Sequence, residues 1–341
     1  MNNIKNQPID IVLPWVDDSD STWRALKEKN EIKLRGSLFE SSNVRFQNWD
    51  NLNIWFRAVE KNMPWVHKIF LITFGHLPEF LVEDHPKLEI VRHEDYIPEE
   101  YLPTFNSNTI EMNLHRIKKL SENFILFNDD MFPMHYTEEE YYFKNDQVCD
   151  EAVENIITTT SFGAVSNVIR YSQVNNMFII NKYFKKREVQ KKNWDKWYCE
   201  DYEDRLERTK SLAYWYDFPG FYDPHLPSAM KKTVLSKLWE LEYDALHAGS
   251  KNRFRGYSDV TQYLIRYWQL CEGDFYPRKT RGKVFFFGWD TYKDVIKEID
   301  SNLHPMICLN ENCTSKQFQI IKKEINNALL KKFPNKSSFE R

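Results

Sequence analysis

Short apolar runs alternate with amphipathic segments over the first third of the chain. Segments 9–16, 68–75, 88–95 and 124–127 are apolar and rich in β-branched or aromatic residues, and polar or turn-forming residues follow each of them. This pattern is typical of strands that are buried on both faces of a sheet. The sequence therefore predicts four buried strands in this part of the chain.

Two amphipathic helices are predicted between these strands. In segment 50–62 the apolar residues recur at the i, i+3, i+4, i+7 spacing of one helical face. In segment 108–120, Asn108 is predicted to cap a helix, and Glu111 completes a capping box three residues later. This second helix ends just before the fourth predicted strand.

Strands that alternate with helices predict an α/β fold with a doubly wound, mostly parallel sheet, like that of nucleotide-sugar transferases. In such sheets ligands bind beyond the carboxyl ends of the strands. Here those ends carry acidic residues and histidines, at positions 17–18, 75–76, 93–95 and 128–130. We therefore expect an acidic rim, and a binding site, at one edge of the sheet.

The sequence also predicts a division into four segments. Residues 1–134 form the α/β core that binds a nucleotide sugar, and the strand–helix alternation fades after them. Residues 135–220 are predicted to be an inserted, aromatic-rich helical or mixed subdomain that provides acceptor or membrane contacts. Residues 221–300 complete the catalytic core, and residues 301–341 form a C-terminal amphipathic helical tail.

The composition narrows the functional classes. The 341 residues carry a net charge of −3, and the pI is near 6.3, which argues against nucleic acid as the main partner. Aromatic residues make up 16% of the chain, a high share. Most of these rings are expected in the core, and the alternative is that some line a carbohydrate site or a membrane interface.

The cysteines and the termini bear on the cellular location. Five scattered cysteines, an odd number, predict no disulfide framework. Cys308 and Cys313 lack the second cysteine pair of a zinc site, so no zinc is expected at that pair. No secretion signal or membrane-spanning run is recognisable, and a reduced, cytoplasmic setting is therefore expected.

Asp129 and Asp130 directly follow the fourth predicted strand, in the sequence FILFNDD. Hard cations such as Mg²⁺ or Mn²⁺ bind one or two carboxylates and take their other ligands from water and phosphate. The alternative is an ordinary solvated turn, but the position on the acidic rim favours a cation site. Asp17 and Asp18, after the first strand, are candidates for a role beside the nucleotide or the cation.

Two loops in the second half of the chain suit phosphate chemistry. His225 lies between two prolines in DPHLP, and an imidazole held in this way suits a general base. Arg253, Arg255 and Asp259 share a short loop, in which the carboxylate orients an arginine that grips phosphate oxygens. The alternatives are a structural histidine and a solvated charged loop.

The helix before FILFNDD carries a third group of candidates. His115 lies one helical turn from Glu111, and Arg116 is its neighbour. A guanidinium group at this place suits the binding of phosphate oxygens. The alternative is an i,i+4 salt bridge on the surface.

Four blocks of the sequence, in this order, resemble the Stealth family. The family includes bacterial capsule and cell-wall polysaccharide phosphotransferases and the animal enzyme that phosphorylates mannose on lysosomal proteins. The blocks are IDIVLPWVDDSD, then RFQNWDNLNIWFRAVEKNMPWVHKIFLITFG through LPTFNSNTIEMNLHRIKKLSENFILFNDDMF, then DPHLPSAMKK, and then NRFRGYSDV. The second block is the longest and the most specific.

The resemblance implies that a hexose-1-phosphate moves from a nucleotide sugar, expected to be UDP-linked, to a sugar hydroxyl, with Mg²⁺ or Mn²⁺ as cofactor. It implies metal binding by Asp129 and Asp130. The implied catalytic residues are His225, Asp17, Arg116, Arg255 and His115. The implied substrate-binding residues are Arg45, Asp50, Arg57, Asn106, Ser107, Glu111, Asn128 and Asp259. Further substrate-binding candidates in the same blocks are Trp15, Lys231 and Arg253. His225 is preferred over His115 as the base because its prolines fix it, and the sequence leaves this choice open.

Two other functions stay open at this point. A metal-dependent glycosyltransferase would use the same fold and aspartates but would release a nucleoside diphosphate instead of a monophosphate. A non-catalytic polysaccharide-binding or assembly protein would need neither Asp129 nor His225 for polymer formation.

A lipid-linked acceptor would favour peripheral membrane contact on the inner face of the plasma membrane. The candidate contacts are the basic, aromatic segment 182–197, with Lys185, Lys186 and Arg187, and the apolar stripe of the C-terminal helix. The alternative is that both are surface helices packed on the core. The stripe consists of Phe318, Ile321, Ile325 and Leu329.

Overall fold

The computed structural model describes residues 7–32, 39–40, 48–159 and 166–341, with residues 32, 39–40 and 166 described by their backbone alone. Arg45, one of the predicted substrate-binding residues, lies outside these ranges. The strands are β1 Ile9–Pro14, β2 Phe39–Glu40, β3 Ile69–Thr73, β4 Leu88–Arg92, β5 Asn123–Leu126, β6 Met131–Pro133, β7 Phe143–Lys144, β8 Gln147–Asp150, β9 Ser228–Lys231, β10 Arg255–Gly256, β11 Phe275–Pro277, β12 Lys283–Phe287 and β13 Met306–Glu311.

Helices lie between most of these strands, and four short 3-10 helices accompany them within the described residues. The α-helices are α1 Ser21–Ile32, α2 Leu52–Asn62, α3 His93–Tyr96, α4 Ser107–Met112, α5 Ser166–Tyr183, α6 Lys186–Lys192, α7 Trp194–Trp197, α8 Leu206–Ser211, α9 Lys232–Leu241, α10 Tyr243–Ser250, α11 Tyr263–Glu272, α12 Tyr292–Ser301 and α13 Ser315–Lys332. The 3-10 helices are Glu99–Tyr101, Leu114–Arg116, Glu139–Tyr141 and Glu200–Arg205.

The central sheet has the strand order β4-β3-β1-β5-β9. The pairs β3–β4, β1–β3 and β1–β5 are parallel, whereas β9 pairs antiparallel with β5. The predicted α/β fold with a parallel sheet is therefore confirmed, while the double winding stays a prediction. From β1 the chain moves outward to β3 and β4 and then returns to β5 on the other side of β1. Ligand crevices form beyond the carboxyl ends at such a reversal.

The predicted elements are found close to their expected places, but the third strand and the second helix have other bounds than predicted. The predicted third strand, 88–95, ends at Arg92 because residues from His93 onward form α3. The predicted helix 108–120 is too long: α4 begins one residue earlier and ends at Met112, and a separate 3-10 helix, Leu114–Arg116, follows it. The cap of α4 is Asn106, whose side chain accepts from the N–H of Asn108. The predicted capping box of Asn108 and Glu111 is therefore wrong, because both residues lie inside α4.

The C-terminal part contains strands as well as the predicted helices. β13 pairs parallel with β12 and antiparallel with β6, the strand that directly follows Asp130. The purely helical tail expected for residues 301–341 is therefore wrong in this respect. The division of the chain into four segments stays a prediction, and one hydrophobic core runs through residues from all four.

Both segments predicted to contact a membrane pack partly on the protein itself. In α13, the apolar stripe is buried, with Phe318 2% and Ile321 0% exposed. In α6, Lys186 is fully buried, and its Nζ lies 2.7 Å from Oε2 of Glu154. The inclusion of Lys186 among the membrane-facing residues is therefore wrong. None of the helices in the described part of the chain is long and apolar enough to cross a membrane.

Candidate active site

The acid pair Asp129 and Asp130 lies where the central sheet meets a second sheet. The N–H of Phe127 donates to the carbonyl of Val12 at 2.9 Å, which continues the pairing of β5 with β1. The N–H of Leu309 in β13 donates to the carbonyl of Asp130 at 2.9 Å. Backbone hydrogen bonds on both sides therefore fix the pair at the carboxyl edge of the central sheet.

The side chain of Asp130 has two neighbours from distant parts of the chain. Its Oδ2 lies 3.8 Å from Nε2 of His225 and accepts a hydrogen bond from Sγ of Cys308 at 3.4 Å. Its Oδ1 is buried and has no hydrogen-bond partner among the described residues. The side chain of His225 is 32% exposed, so the imidazole borders the cleft instead of being sealed in the core.

Three carboxylates share this edge. Burial, together with the charges of Asp130 and Glu311, raises the pKa of Asp129 to about 7. Glu311, the last residue of β13, also has a pKa raised to about 7 by burial and by the charge of Asp130. Within the described ranges, none of the three forms an ion pair with a lysine or arginine. Such a set of unbalanced carboxylate oxygens suits a hard divalent cation.

A second group of side chains faces His225 from α4 and from the loop of residues 252–259, which we call the arginine loop. Glu111 in α4 is 5% exposed, and burial raises its pKa to about 7 against the lowering effects of Arg255 and His225. Nη2 of Arg255 donates to Oγ of Ser107 at 2.6 Å. The structure thus brings Ser107, Glu111, Arg255 and His225 together, as the sequence predicts for a phosphate site.

Asp259 stabilises the arginine loop through buried hydrogen bonds. It is fully buried, and its carboxylate accepts hydrogen bonds from the amide groups of Asn106, Asn108 and Asn252 at 2.6–2.9 Å. Burial raises its pKa, and these hydrogen bonds oppose the rise. Asp259 and Asn106 therefore hold the loop in shape, and neither is exposed to a substrate. Arg253 donates to the carbonyl of Pro103 at 2.6 Å.

The carboxyl ends of β1 and β3 form the other half of the rim. The N–H of Asp17 donates to Nε2 of His76 at 2.8 Å, and the buried ring of Trp15 packs edge-on against that imidazole, with 5.3 Å between centroids. Since Nε2 accepts, the proton of His76 is on Nδ1, which is buried without a partner. Burial raises the pKa of Asp17, but hydrogen bonds from Ser19 and Asn48 bring it below its usual value.

His115 and Arg116 lie apart from this group. The ring of His115 packs against Trp239 with 5.7 Å between centroids, and burial lowers its pKa to about 4, helped by Arg116 and Lys232. The guanidinium of Arg116 covers the same Trp239 ring at 4.7 Å and donates to Asn113. Lys231 pairs with Asn123, the first residue of β5, and so lies at the opposite edge of the sheet.

The remaining predicted substrate-binding residues either have partners elsewhere in the chain or lie beside Asp129 and Asp130. Arg57 donates to both carboxylate oxygens of Glu340, at 2.8 and 2.6 Å, and Asp50 pairs with Lys322. Asn128 precedes the acid pair, and its carbonyl accepts from the N–H of Met131 at 3.2 Å. Asn128 therefore lies at the site, whereas Arg57 is paired with the C-terminal end of the chain.

Three residues of the site were missed from the sequence. Cys308 and Glu311 both lie on β13, and the segment CLNENC attracted attention only as a cysteine pair. Tyr263 begins α11, and burial raises its pKa, as do the charges of Asp223, Glu111 and Cys308. An acid at the end of an apolar run, MICLNE, is the signal that predicts a further strand on the rim.

A mostly parallel α/β sheet with carboxylates, an imidazole and an arginine at its carboxyl edge is typical of enzymes that act on phosphate-containing substrates. The chain belongs to the Stealth family. Residues 7–35 match the family model for Stealth protein CR1, conserved region 1, and residues 45–150 match that for Stealth protein CR2, conserved region 2.

Curated relatives match this chain over nearly its full length. The capsular polysaccharide phosphotransferase WcwK of Streptococcus pneumoniae is 39% identical over 98% of both chains. The exopolysaccharide phosphotransferase cps2G of Lactiplantibacillus plantarum is 34% identical over 98% of this chain and 96% of its own. The receptor polysaccharide phosphotransferase WefC of Streptococcus oralis is 31% identical over 97% of this chain and 99% of its own.

A solved structure was also compared. The glycosyltransferase GlyE in Streptococcus pneumoniae TIGR4 aligns with 92% of this chain and 78% of its own at 8% identity. The TM-score of 0.23 is too low to support a statement about the fold.

Proposed function

We propose that this polysaccharide phosphotransferase moves a hexose-1-phosphate from a UDP-linked or other nucleotide sugar to a sugar hydroxyl. The product is a phosphodiester in a capsular, exopolysaccharide or cell-wall polysaccharide, and a nucleoside monophosphate leaves. Full-length similarity to capsular and exopolysaccharide phosphotransferases supports the class of enzyme. The donor and the transferred group are parts of the proposal.

The observation that carries the proposal is the distance of 3.8 Å between Nε2 of His225 and Oδ2 of Asp130. It places a partly exposed imidazole beside the acid pair. Nε2 of His225 takes the proton of the attacking hydroxyl as a general base. His115 does not suit this task, because it is packed against Trp239 and its pKa is lowered to about 4.

Phosphoryl transfer depends mainly on in-line positioning and on neutralisation of charge. Arg255, held by Ser107, is aimed at oxygens of the transferred phosphate, and the buried Glu111 keeps the arginine and His225 in place. Asp129 and Asp130 would hold Mg²⁺ or Mn²⁺, which neutralises the pyrophosphate of the donor when bound. Without a cation these carboxylates would repel that pyrophosphate, so metal removal is expected to abolish activity.

The deciding experiment identifies the nucleotide released from a panel of nucleotide sugars with a saccharide acceptor. Nucleoside monophosphate is expected, whereas a diphosphate would show a glycosyltransferase and overturn the proposal. His225→Ala is expected to lower kcat by about 10²–10⁴ with little change in KM, because a general base contributes that much.

The controls for this experiment separate catalysis from binding. Asp130→Asn is expected to remove activity, and Asp294→Asn, which alters an exposed carboxylate paired with Lys297, is expected to leave it unchanged. If polymer formation in cells survives both His225→Ala and Asp130→Asn, the chain is a binding or assembly protein and the proposed chemistry is wrong.

A further inference from the structure

Asp130, His225 and Cys308 bring three different ligand types to one point. One ligand atom of each lies within 4.8 Å of the other two. We propose that these three residues form a binding site for a thiol-seeking divalent metal such as Zn²⁺, and that this metal inhibits the transferase. The site shares only Asp130 with the carboxylate site for Mg²⁺ or Mn²⁺.

The spacing of the ligands agrees with a tetrahedral zinc centre. With Zn–S and Zn–N or Zn–O distances of roughly 2.3 and 2.0 Å, a tetrahedron places a sulfur ligand about 3.5 Å from an oxygen or nitrogen ligand and places an oxygen about 3.3 Å from a nitrogen. The separation of 3.4 Å from Sγ of Cys308 to Oδ2 of Asp130 already agrees with the first value, whereas Nε2 of His225, 3.8 Å from that oxygen, has to move closer. Three protein ligands leave the fourth position to water, as in zinc sites with an open position.

The backbone holds two of the ligands together without any help from a metal. Cys308 in β13 pairs with Met131 in β6, the residue that follows Asp130. Because both strands are hydrogen-bonded at this point, the thiol and the carboxylate keep their spacing. His225 is partly exposed, and a small rotation of its side chain is enough to bring Nε2 to the metal. The unpartnered Oδ1 of Asp130 provides a further acceptor at the same place.

The chemistry of the thiol determines which metal binds. Cys308 is fully buried and donates its S–H to Asp130. On metal binding, the Zn–S bond replaces the S–H bond, and the proton leaves to the solvent. Thiolate and imidazole ligands favour Zn²⁺ and Co²⁺, whereas Mg²⁺ takes oxygen ligands, so the two kinds of metal are expected to compete only through Asp130.

The inhibitory effect follows from the use of His225, and this part rests on the proposed function. A lone pair of Nε2 that is bonded to a metal cannot accept the proton of a hydroxyl group. Zinc is therefore expected to inhibit the enzyme in the presence of excess Mg²⁺. Binding of the metal itself depends only on the three side chains.

Co²⁺ is the probe for binding, because thiolate coordination gives it a sulfur-to-metal absorption band in the near ultraviolet. The intact chain is expected to show this band, and Zn²⁺ is expected to abolish it by displacement. Cys308→Ser should lose the band, and His225→Ala should weaken the affinity for Co²⁺ by about tenfold or more. Cys313→Ser, five positions further along, is the matched control and should keep the band.

Absence of the band in the wild-type chain, or its persistence in Cys308→Ser, would overturn the proposed site. Thermal unfolding of Cys308→Ser is measured in parallel, and His225→Ala provides a second variant at a partly exposed position. In turnover assays, the zinc concentration for half inhibition should rise by about tenfold or more in Cys308→Ser, relative to the zinc-free rate of that variant.

The two proposals fail in different ways. A chain that binds Co²⁺ through Cys308 but releases no nucleoside monophosphate contradicts the proposed function and supports the metal site. An active chain that binds Co²⁺ but is not inhibited by zinc contradicts the inhibitory role.

Discussion

Glu111 illustrates how a single buried side chain couples the site to pH. Its pKa is raised from 4.5 to about 7, mainly by burial. A raised pKa means that the folded protein binds the proton more tightly than the unfolded chain. The corresponding stability is fully present below pH 4.5 and is lost as the pH rises through 7.

Glu111→Gln tests this effect because the glutamine stays neutral at every pH. The free energy of unfolding of the wild type, measured in urea without divalent metal, should fall relative to that of the variant between pH 4.5 and pH 8. The expected relative change is on the order of 3 kcal/mol. A difference between the two proteins that is the same at all pH values would contradict the assignment.

Residue-level chemistry could be predicted in part from the sequence. Asp129, Asp130 and His225 were expected at one site, and the structure brings them together because they follow or precede neighbouring strands. His115, Arg116 and Lys231 were also expected there. His115 and Arg116 lie elsewhere because they belong to the 3-10 helix that follows α4, where both side chains pack on Trp239. Lys231 ends β9 beside Asn123, at the amino edge of the central sheet.

At the scale of elements, α11 anchors the loop that carries His225. Arg266 in α11 is 1% exposed, and its guanidinium donates to both carboxylate oxygens of Asp150, at 2.7 and 2.9 Å. It also donates to the carbonyl of Tyr222 at 2.8 Å and lies 3.3 Å from Oδ1 of Asp223. One helix thus fixes β8 and the start of the DPHLP loop.

Removal of this arginine is expected to be strongly destabilising. Arg266→Met leaves two largely buried carboxylates without their cation, which costs about 3–5 kcal/mol in unfolding free energy. Arg266→Lys keeps the charge and should lose less. The exposed pair of Lys297 and Asp294 is the comparison, and Lys297→Gln should leave the free energy of unfolding nearly unchanged. Equal losses for the buried and the exposed pair, measured by chemical denaturation, would contradict the anchoring role.

Elements were predictable where local pattern and tertiary burial agree. β1, α2 and β3 were predicted because an uninterrupted apolar run or a helical stripe identifies each of them. β12 and β13 were not predicted, because β13 has only four buried residues before polar ones and owes its place to pairing with β6, more than 170 positions earlier in the chain. Such distant pairing leaves little trace in the local sequence.

At the scale of the whole molecule, the surface next to α6 is the remaining candidate for contact with a membrane that carries a lipid-linked acceptor. Lys185 and Arg187 are exposed, and Arg187 lies over the ring of Tyr216, which is 77% exposed. Tyr214 is 72% exposed beside it. Basic and aromatic side chains together suit an anionic lipid surface.

Co-sedimentation with anionic phospholipid vesicles checks this surface. The double variant Lys185→Gln, Arg187→Gln should bind about tenfold or more weakly, since each basic residue contributes about 1 kcal/mol near such a membrane. The matched control changes Lys323 and Lys331 of α13, whose apolar face is buried in the core, and should bind like the wild type. Equal weakening of both double variants would mean that charge alone, without this surface, drives binding.

The pairing of β13 with β6 also has a consequence for biosynthesis. The acid pair is made early in translation, but Cys308 and Glu311, which complete its surroundings, are added about 180 residues later. A growing chain therefore holds two neighbouring carboxylates with one side uncovered until β13 has left the ribosome. The surroundings of the acid pair are therefore completed only when synthesis of the chain is nearly over.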